Sequence, residues 1–214
     1  MPVERLFYLY DPLCGWCYGS VPAIQALAAS GACKVEALPS GLFAGNPFRR
    51  IDPGLVQHIV QADARIAALT GQPFSDAYRR EVLGNSASPF DSGPATQALS
   101  AVAQFNPARE LDALHALQRE RYILGRDLSD RSVIAQALAG ALGDTAADWL
   151  ARLADPALPA ATRARTHRSR QLMHATRSQG VPALVWRAPD GLRALPTSWL
   201  YGDVPLAQRL MAMA

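Results

Sequence analysis

The sequence predicts an α/β chain in which a β-α-β unit and a β-β-α unit flank a large all-helical insertion. Three observations carry this reading. Residues 6–10, Leu-Phe-Tyr-Leu-Tyr, form an apolar run of strand length that meets Asp11-Pro12, a strand-ending turn, and then a helical pattern. Residues 51–177 carry only helical periodicity punctuated by caps. After Gln179 the pattern shortens again to a strand, a turn, a strand and a terminal helix.

Taken in order, Val21, Ile24, Leu27 and Ala28 recur at helical spacing, and Ser30-Gly31 ends that helix. Residues 33–38 alternate as a second strand, followed by a turn-rich loop over 39–47. If the two strands run parallel, this loop leaves on the side of the first turn. Pro53 opens a helix to residue 69 with Leu55, Ile59, Ala62, Ile66 and Leu69 on one face, closed by Thr70-Gly71. Residues 74–83 make a short helix or turn. Asp91-Ser92-Gly93-Pro94 reads as the cap and first turn of a helix over 95–104. Further helices are predicted over 108–122, over 132–141 with Ser129 or Asp130 as cap, over 146–154 and over 158–178. Residues 183–186 read as an apolar strand, Ala188-Pro189-Asp190-Gly191 as a hairpin turn and 192–196 as the returning strand. The last helix spans 205–213, with Leu206, Leu210 and Met211 inward.

Composition narrows the function. The chain has 214 residues, half of them hydrophobic, and a formal charge of +3. That suits one globular domain with an insertion and calls for neither nucleic acid nor membrane. The densest basic stretch, Arg163, Arg165, His167, Arg168 and Arg170, reads as a solvated helix face. No apolar run approaches the ~20 residues that cross a bilayer. No secretory signal precedes the first strand, so a cytoplasmic protein is expected. Oligomeric state is not legible.

The chemistry is concentrated in Cys14-Gly15-Trp16-Cys17, at the point where strand gives way to helix. The first turn of a helix presents unpaired N–H groups and a positive dipole end, which favour a thiolate at Cys14. Cys17, one turn on, lies on the same side. Cys14 is therefore the expected attacking thiol and Cys17 the resolving one, working through a mixed disulfide. A structural zinc site would need a second ligand pair, and Cys33, His58, His115, His167 and His174 supply none at metal-ligand spacing. Two cysteines acting only as small buried hydrophobes would not need this placement. Cys33 reads as a bystander. No metal or organic cofactor is expected.

The segments Asp11-Pro12-Leu13-Cys14-Gly15-Trp16-Cys17-Tyr18-Gly19, Gly41-Leu42, Asp91-Ser92-Gly93-Pro94-Ala95 and Gly180-Val181-Pro182 together resemble the DsbA-type thioredoxin-like family. They are most similar to its predicted protein-disulfide isomerase or FrnE-like members. The resemblance implies a thioredoxin-like fold, with residues 1–50 and 178–214 as the thioredoxin-like domain and 51–177 as the helical insertion. It implies that Pro182 is cis and packs beside the dithiol, which would leave the Val181 backbone free to pair with an extended substrate. Trp16, Tyr18, Val181 and Pro182 are thus the candidate substrate-binding residues beside catalytic Cys14 and Cys17. Where strongly oxidising relatives carry Pro-His between the cysteines, this chain has Gly15-Trp16. Trp16 supplies no charge to stabilise a neighbouring thiolate, so a less oxidising dithiol is expected. The expected function is a thiol–disulfide oxidoreductase or protein disulfide isomerase acting on protein or small-molecule disulfides. Electrons would be exchanged with another thiol system, glutathione or a thioredoxin. The same fold serves kappa-class glutathione transferases and 2-hydroxychromene-2-carboxylate isomerases, the alternative function, but those relatives need no resolving thiol.

Overall fold

A computed structural model of the chain describes residues 5–46 and 49–213. Residues 1–4, which were read for a secretory signal, and the end of the 39–47 loop at Pro47 lie outside the described residues. Strands β1 (Arg5–Tyr10), β2 (Lys34–Pro39), β3 (Ala183–Ala188) and β4 (Gly191–Leu195) form one sheet in the order β2-β1-β3-β4. β1 runs parallel to β2, with Phe7 opposite Glu36, and antiparallel to β3, with Phe7 opposite Val185. β4 closes the hairpin on the far edge.

The alternation of side chains across a strand explains why residues 6–10 are apolar without interruption. Leu6, Tyr8 and Tyr10 enter the main core together with Leu184 and Trp186. Phe7 and Leu9 point to the other face, where they meet Ala183, Val185 and Leu172. β1 is a central strand covered on both sides.

Nine α-helices are described: α1 (Gly15–Gly19), α2 (Val21–Ser30), α3 (Pro53–Thr70), α4 (Gly93–Phe105), α5 (Glu110–Tyr122), α6 (Arg131–Leu142), α7 (Ala146–Leu153), α8 (Leu158–Ala175) and α9 (Leu206–Met211). Strand order, strand direction and the helices between β2 and β3 make this a thioredoxin-like α/β fold with a large helical insertion. Within the insertion α4 is the central element, buried nearly all round and packed on α5, α7 and α8. α8 reaches back to lie on β2 and supplies Leu172 to the second face of the sheet. No helix among the described residues is long and apolar enough to cross a membrane.

Several elements differ from the sequence reading, each for a physical reason. The first helix is broken into α1 and α2 at Ser20, because Pro22 has no N–H to give to the carbonyl of Tyr18. Gln72 Nε2 donates to that carbonyl instead, at 3.2 Å. The Cys17 carbonyl accepts from Ser20 Oγ and the Tyr8 hydroxyl. Ala28, which shares the helical spacing of Val21, Ile24 and Leu27, is exposed. On α3 the buried face is centred on Asp63 and Ile66, so Leu69 falls outside it and is 55% exposed. Met211 is likewise 61% exposed.

Residues 78–83 form a π-helical turn, in which the Gly84 N–H donates to the Arg79 carbonyl. Ser92 sits at the N-cap of α4 but does not cap it with its side chain. The arginine stretch of α8 is only in part a solvated face: Arg163 and His167 are exposed, while the other three reach back to the β2 side. Arg165 donates to the Ala37 carbonyl, Arg170 to those of Ser40 and Gly41, and Arg168 pairs with Glu36. β2 is an edge strand, so its outer carbonyls have no neighbouring strand; Arg165 satisfies that of Ala37, and Arg170 those of Ser40 and Gly41 just beyond the strand.

Candidate active site

β1 ends by delivering Asp11 into a fully buried position. Its Oδ1 accepts the Leu13 N–H at 3.0 Å, and its Oδ2 accepts the Phe43 N–H at 3.1 Å and the Ser92 hydroxyl at 2.9 Å. One carboxylate thus joins the turn before the cysteines, the loop after β2 and the start of α4. Burial raises the Asp11 pKa, and these hydrogen bonds work against the rise. The sequence marked Asp11 only as a turn residue. That its side chain collects the Gly41-Leu42 and Asp91-Ser92 segments was not visible there.

The turn leads to Cys14, the N-cap residue of α1, whose carbonyl accepts the Tyr18 N–H at 3.0 Å. Cys14 is 7% exposed and Cys17 is fully buried behind it. Both are free thiols. Burial pushes the Cys17 thiol well above the usual cysteine range, and its hydrogen bond with Cys14 adds to the rise. The helix that begins at Cys14 is only five residues long, so the dipole expected of a continuous helix is delivered by a short segment.

The Val181–Pro182 peptide is cis. Cys14 Sγ lies 3.4 Å from the Val181 carbonyl oxygen, to which its thiol donates. The backbone expected to stay free for substrate is therefore engaged by Cys14 through a weak S–H bond. Trp16 lines a groove of about 720 Å³ beside Val181 and Pro182. Its ring meets that of Tyr201 edge-on at 5.3 Å, and the Tyr201 hydroxyl donates to the Trp16 carbonyl at 3.0 Å. Leu69, displaced from the α3 core face, is part of the same wall.

Tyr18 does not reach this groove. It is buried, its ring stacks on Tyr122 at 4.7 Å, and its hydroxyl donates to the Pro73 carbonyl. A residue pointing into the aromatic cluster of Phe74, Tyr78 and Tyr122 packs the floor of the site, so the expectation of substrate contact by Tyr18 is corrected. Tyr122 in turn donates to the Leu13 carbonyl at 2.8 Å, fixing the turn from below.

Sequence reasoning also missed Tyr201 and Asp63. Tyr201 follows β4 and has no motif around it. Asp63 is 5% exposed on α3, and its Oδ1 lies 3.0 Å from where a side chain at Gly15 would begin. A lone acid at an inward helical position was the only available signal for it. Among the described residues no group of three His, Cys, Asp or Glu side chains is arranged to hold a metal ion.

No protein-family model matches the chain, and no curated protein matches it. Solved structures do. The cytosolic disulfide reductase DsbM from Pseudomonas aeruginosa matches with a TM-score of 0.83 at 30% identity, over 98% of this chain and 96% of that one. The same protein with GSH (glutathione) matches at 0.78 and 31%, over the same shares. A 2-hydroxychromene-2-carboxylate isomerase has the same fold, with a TM-score of 0.64 at 12% identity, over 98% and 95%. With an end-to-end likeness to DsbM and a dithiol at the end of β1, the chain belongs to the DsbA-type family of thioredoxin-like disulfide oxidoreductases.

Proposed function

We propose that the protein is a cytoplasmic thiol–disulfide reductase and isomerase that works through Cys14 and Cys17, with glutathione as its small-molecule thiol partner. The observation that carries this reading is the asymmetry of the two thiols. Cys14, 7% exposed, reaches the carbonyl of Val181, a residue of the groove wall, whereas Cys17 is fully buried and burial holds its proton. An attacking thiol needs access, and a resolving thiol has to stay quiet until a disulfide forms in front of it.

The Cys14 thiolate attacks one sulfur of the substrate disulfide, forming a Cys14–substrate bond and expelling the other substrate sulfur as a thiolate, which takes up a proton. Cys17 then gives up its proton and attacks the Cys14 sulfur. The second substrate thiol leaves, and two electrons have passed from the dithiol to the substrate. Two glutathione molecules return the pair to the dithiol and leave as one glutathione disulfide. In isomerisation the substrate's own thiol attacks the mixed disulfide before Cys17 does, and no net electrons move. Trp16 and Pro182 hold the substrate chain beside Cys14.

DsbM is described as cytosolic and has been seen with glutathione, which supports the compartment and the partner. An uncharged Trp16 in place of a cationic neighbour supports the reducing direction. The test is insulin reduction and refolding of a scrambled disulfide substrate. Cys14→Ser is expected to abolish both, and Cys17→Ser to accumulate a Cys14–glutathione adduct visible by mass spectrometry. Full activity in Cys14→Ser would overturn the proposal.

A further inference from the structure

The groove beside Val181-Pro182 has one charged residue among its described lining residues, Arg177. The rest is apolar or neutral, with Trp16, Leu69, Leu195 and Tyr201 among the walls. Arg177 forms no ion pair with a described residue. Its carbonyl accepts Gln179 Nε2 at 3.1 Å, which ties down the backbone of the segment leading to Val181.

The backbone at this point is unusual. Arg177 has φ 55°, the only positive value at a non-glycine among the described residues. It closes α8 through a Ser178 N–H bond to the Met173 carbonyl at 2.9 Å, the wrap-around end that glycine ordinarily occupies. This chain follows that rule elsewhere, using Gly31, Gly71 and Gly143 in the same conformation at the ends of α2, α3 and α6. At the one such end that borders the groove it carries arginine. A left-handed non-glycine residue costs free energy that glycine would not, so the side chain is retained for something other than the turn.

We propose that Arg177 is the carboxylate anchor of the groove, selecting as the thiol partner of the Cys14–Cys17 pair a small anionic peptide thiol of the glutathione class. The inference rests on the proposed oxidoreductase reading and adds the group that recognises the partner. A guanidinium presents a planar fork that a carboxylate accepts through two hydrogen bonds, and a groove without competing acids leaves that fork available.

The experiment compares thiols of different charge. The Cys14–Cys17 disulfide form of the native protein, Arg177→Gly and Arg177→Lys is reduced by glutathione and by uncharged 2-mercaptoethanol, followed by tryptophan fluorescence. Arg177→Gly is expected to fold with unchanged or higher thermal stability, because glycine suits the backbone. Its ratio of glutathione rate to mercaptoethanol rate is expected to fall on the order of tenfold, the scale of a charge-assisted hydrogen bond. Arg177→Lys should recover part of the ratio, and added salt should lower it in the native protein. A ratio unmoved in Arg177→Gly overturns the anchor while leaving the dithiol mechanism intact. Loss of activity in Cys14→Ser tests the mechanism separately.

Discussion

Replacing Asp63 by asparagine should change the stability of the protein in a strongly pH-dependent way. Asp63 is nearly fully buried on α3, where it accepts the Tyr78 hydroxyl and feels Arg121 and Arg79 only at a distance. Burial lifts its pKa from an ordinary 3.8 to about 6, against the lowering effect of those neighbours. Below the unfolded value both states hold the proton, and the site costs nothing. Between there and about pH 6 the unfolded chain releases the proton and the folded one keeps it, so stability falls as pH rises. Above about pH 6 the folded carboxyl is ionised too, and the cost levels off at no more than about 3 kcal/mol.

Asparagine keeps an acceptor for Tyr78 and cannot ionise. Urea denaturation of the two proteins from pH 4 to pH 8 should therefore give equal stabilities at the acid end and an advantage of about 1–3 kcal/mol for Asp63→Asn at pH 7.5. A difference that is constant across this range, or a variant less stable at pH 8, would refute the argument.

Three further outcomes follow from packing and hydrogen bonding. Glu110 accepts from both the Tyr10 hydroxyl and Arg165, so Glu110→Ala strands a largely buried guanidinium and should cost about 3–5 kcal/mol in denaturant melts. Gly125 has φ 67° and leaves a prospective Cβ only 2.6 Å from the Ala77 carbonyl oxygen; Gly125→Ala should lower stability by about 2 kcal/mol or more. Both oxygens of Asp11 accept from donors, so Asp11→Asn turns an NH₂ toward an N–H or O–H in either orientation. It should lose about 2 kcal/mol and slow Cys14 alkylation by iodoacetamide or redistribute it toward Cys17, as peptide mapping would show.

The parts of the molecule that depend on neighbours in the chain were legible. The apolar run of β1, the Asp11-Pro12 turn and the two cysteines are a local sequence of events, and the change of period after Gln179 announced the second pair of strands. What was not legible depends on distant partners. Asp11 meets Phe43 across 32 positions and Ser92 across 81, so its local appearance as a turn residue gave no hint of a tie. Arg165 and Arg170 read as solvent-facing because the carbonyls they bind, Ala37 on β2 and Ser40 just after it, lie about 130 positions earlier. Leu69 kept the helical apolar spacing yet serves a groove wall, and spacing alone cannot distinguish a wall from a core. The π-helical turn shares its apolar pattern with an ordinary helix, so residues 74–83 read only as a short helix or turn, without their geometry being evident.

The strand order has a consequence for how the site comes into being. β1 is flanked by β2, which follows within a few dozen residues, and by β3, which begins at Ala183. During synthesis Cys14 and Cys17 leave the ribosome early, whereas Val181 and Pro182 emerge after most of the chain. Throughout that interval the two cysteines belong to a half-built sheet with one bare edge and no groove, and loop-closure entropy delays the pairing that completes it. A nascent or prematurely terminated chain would thus expose the reactive sulfurs without the surface that selects their partners. The same long-range pairing that buries Cys17 makes redox competence one of the last properties the protein acquires.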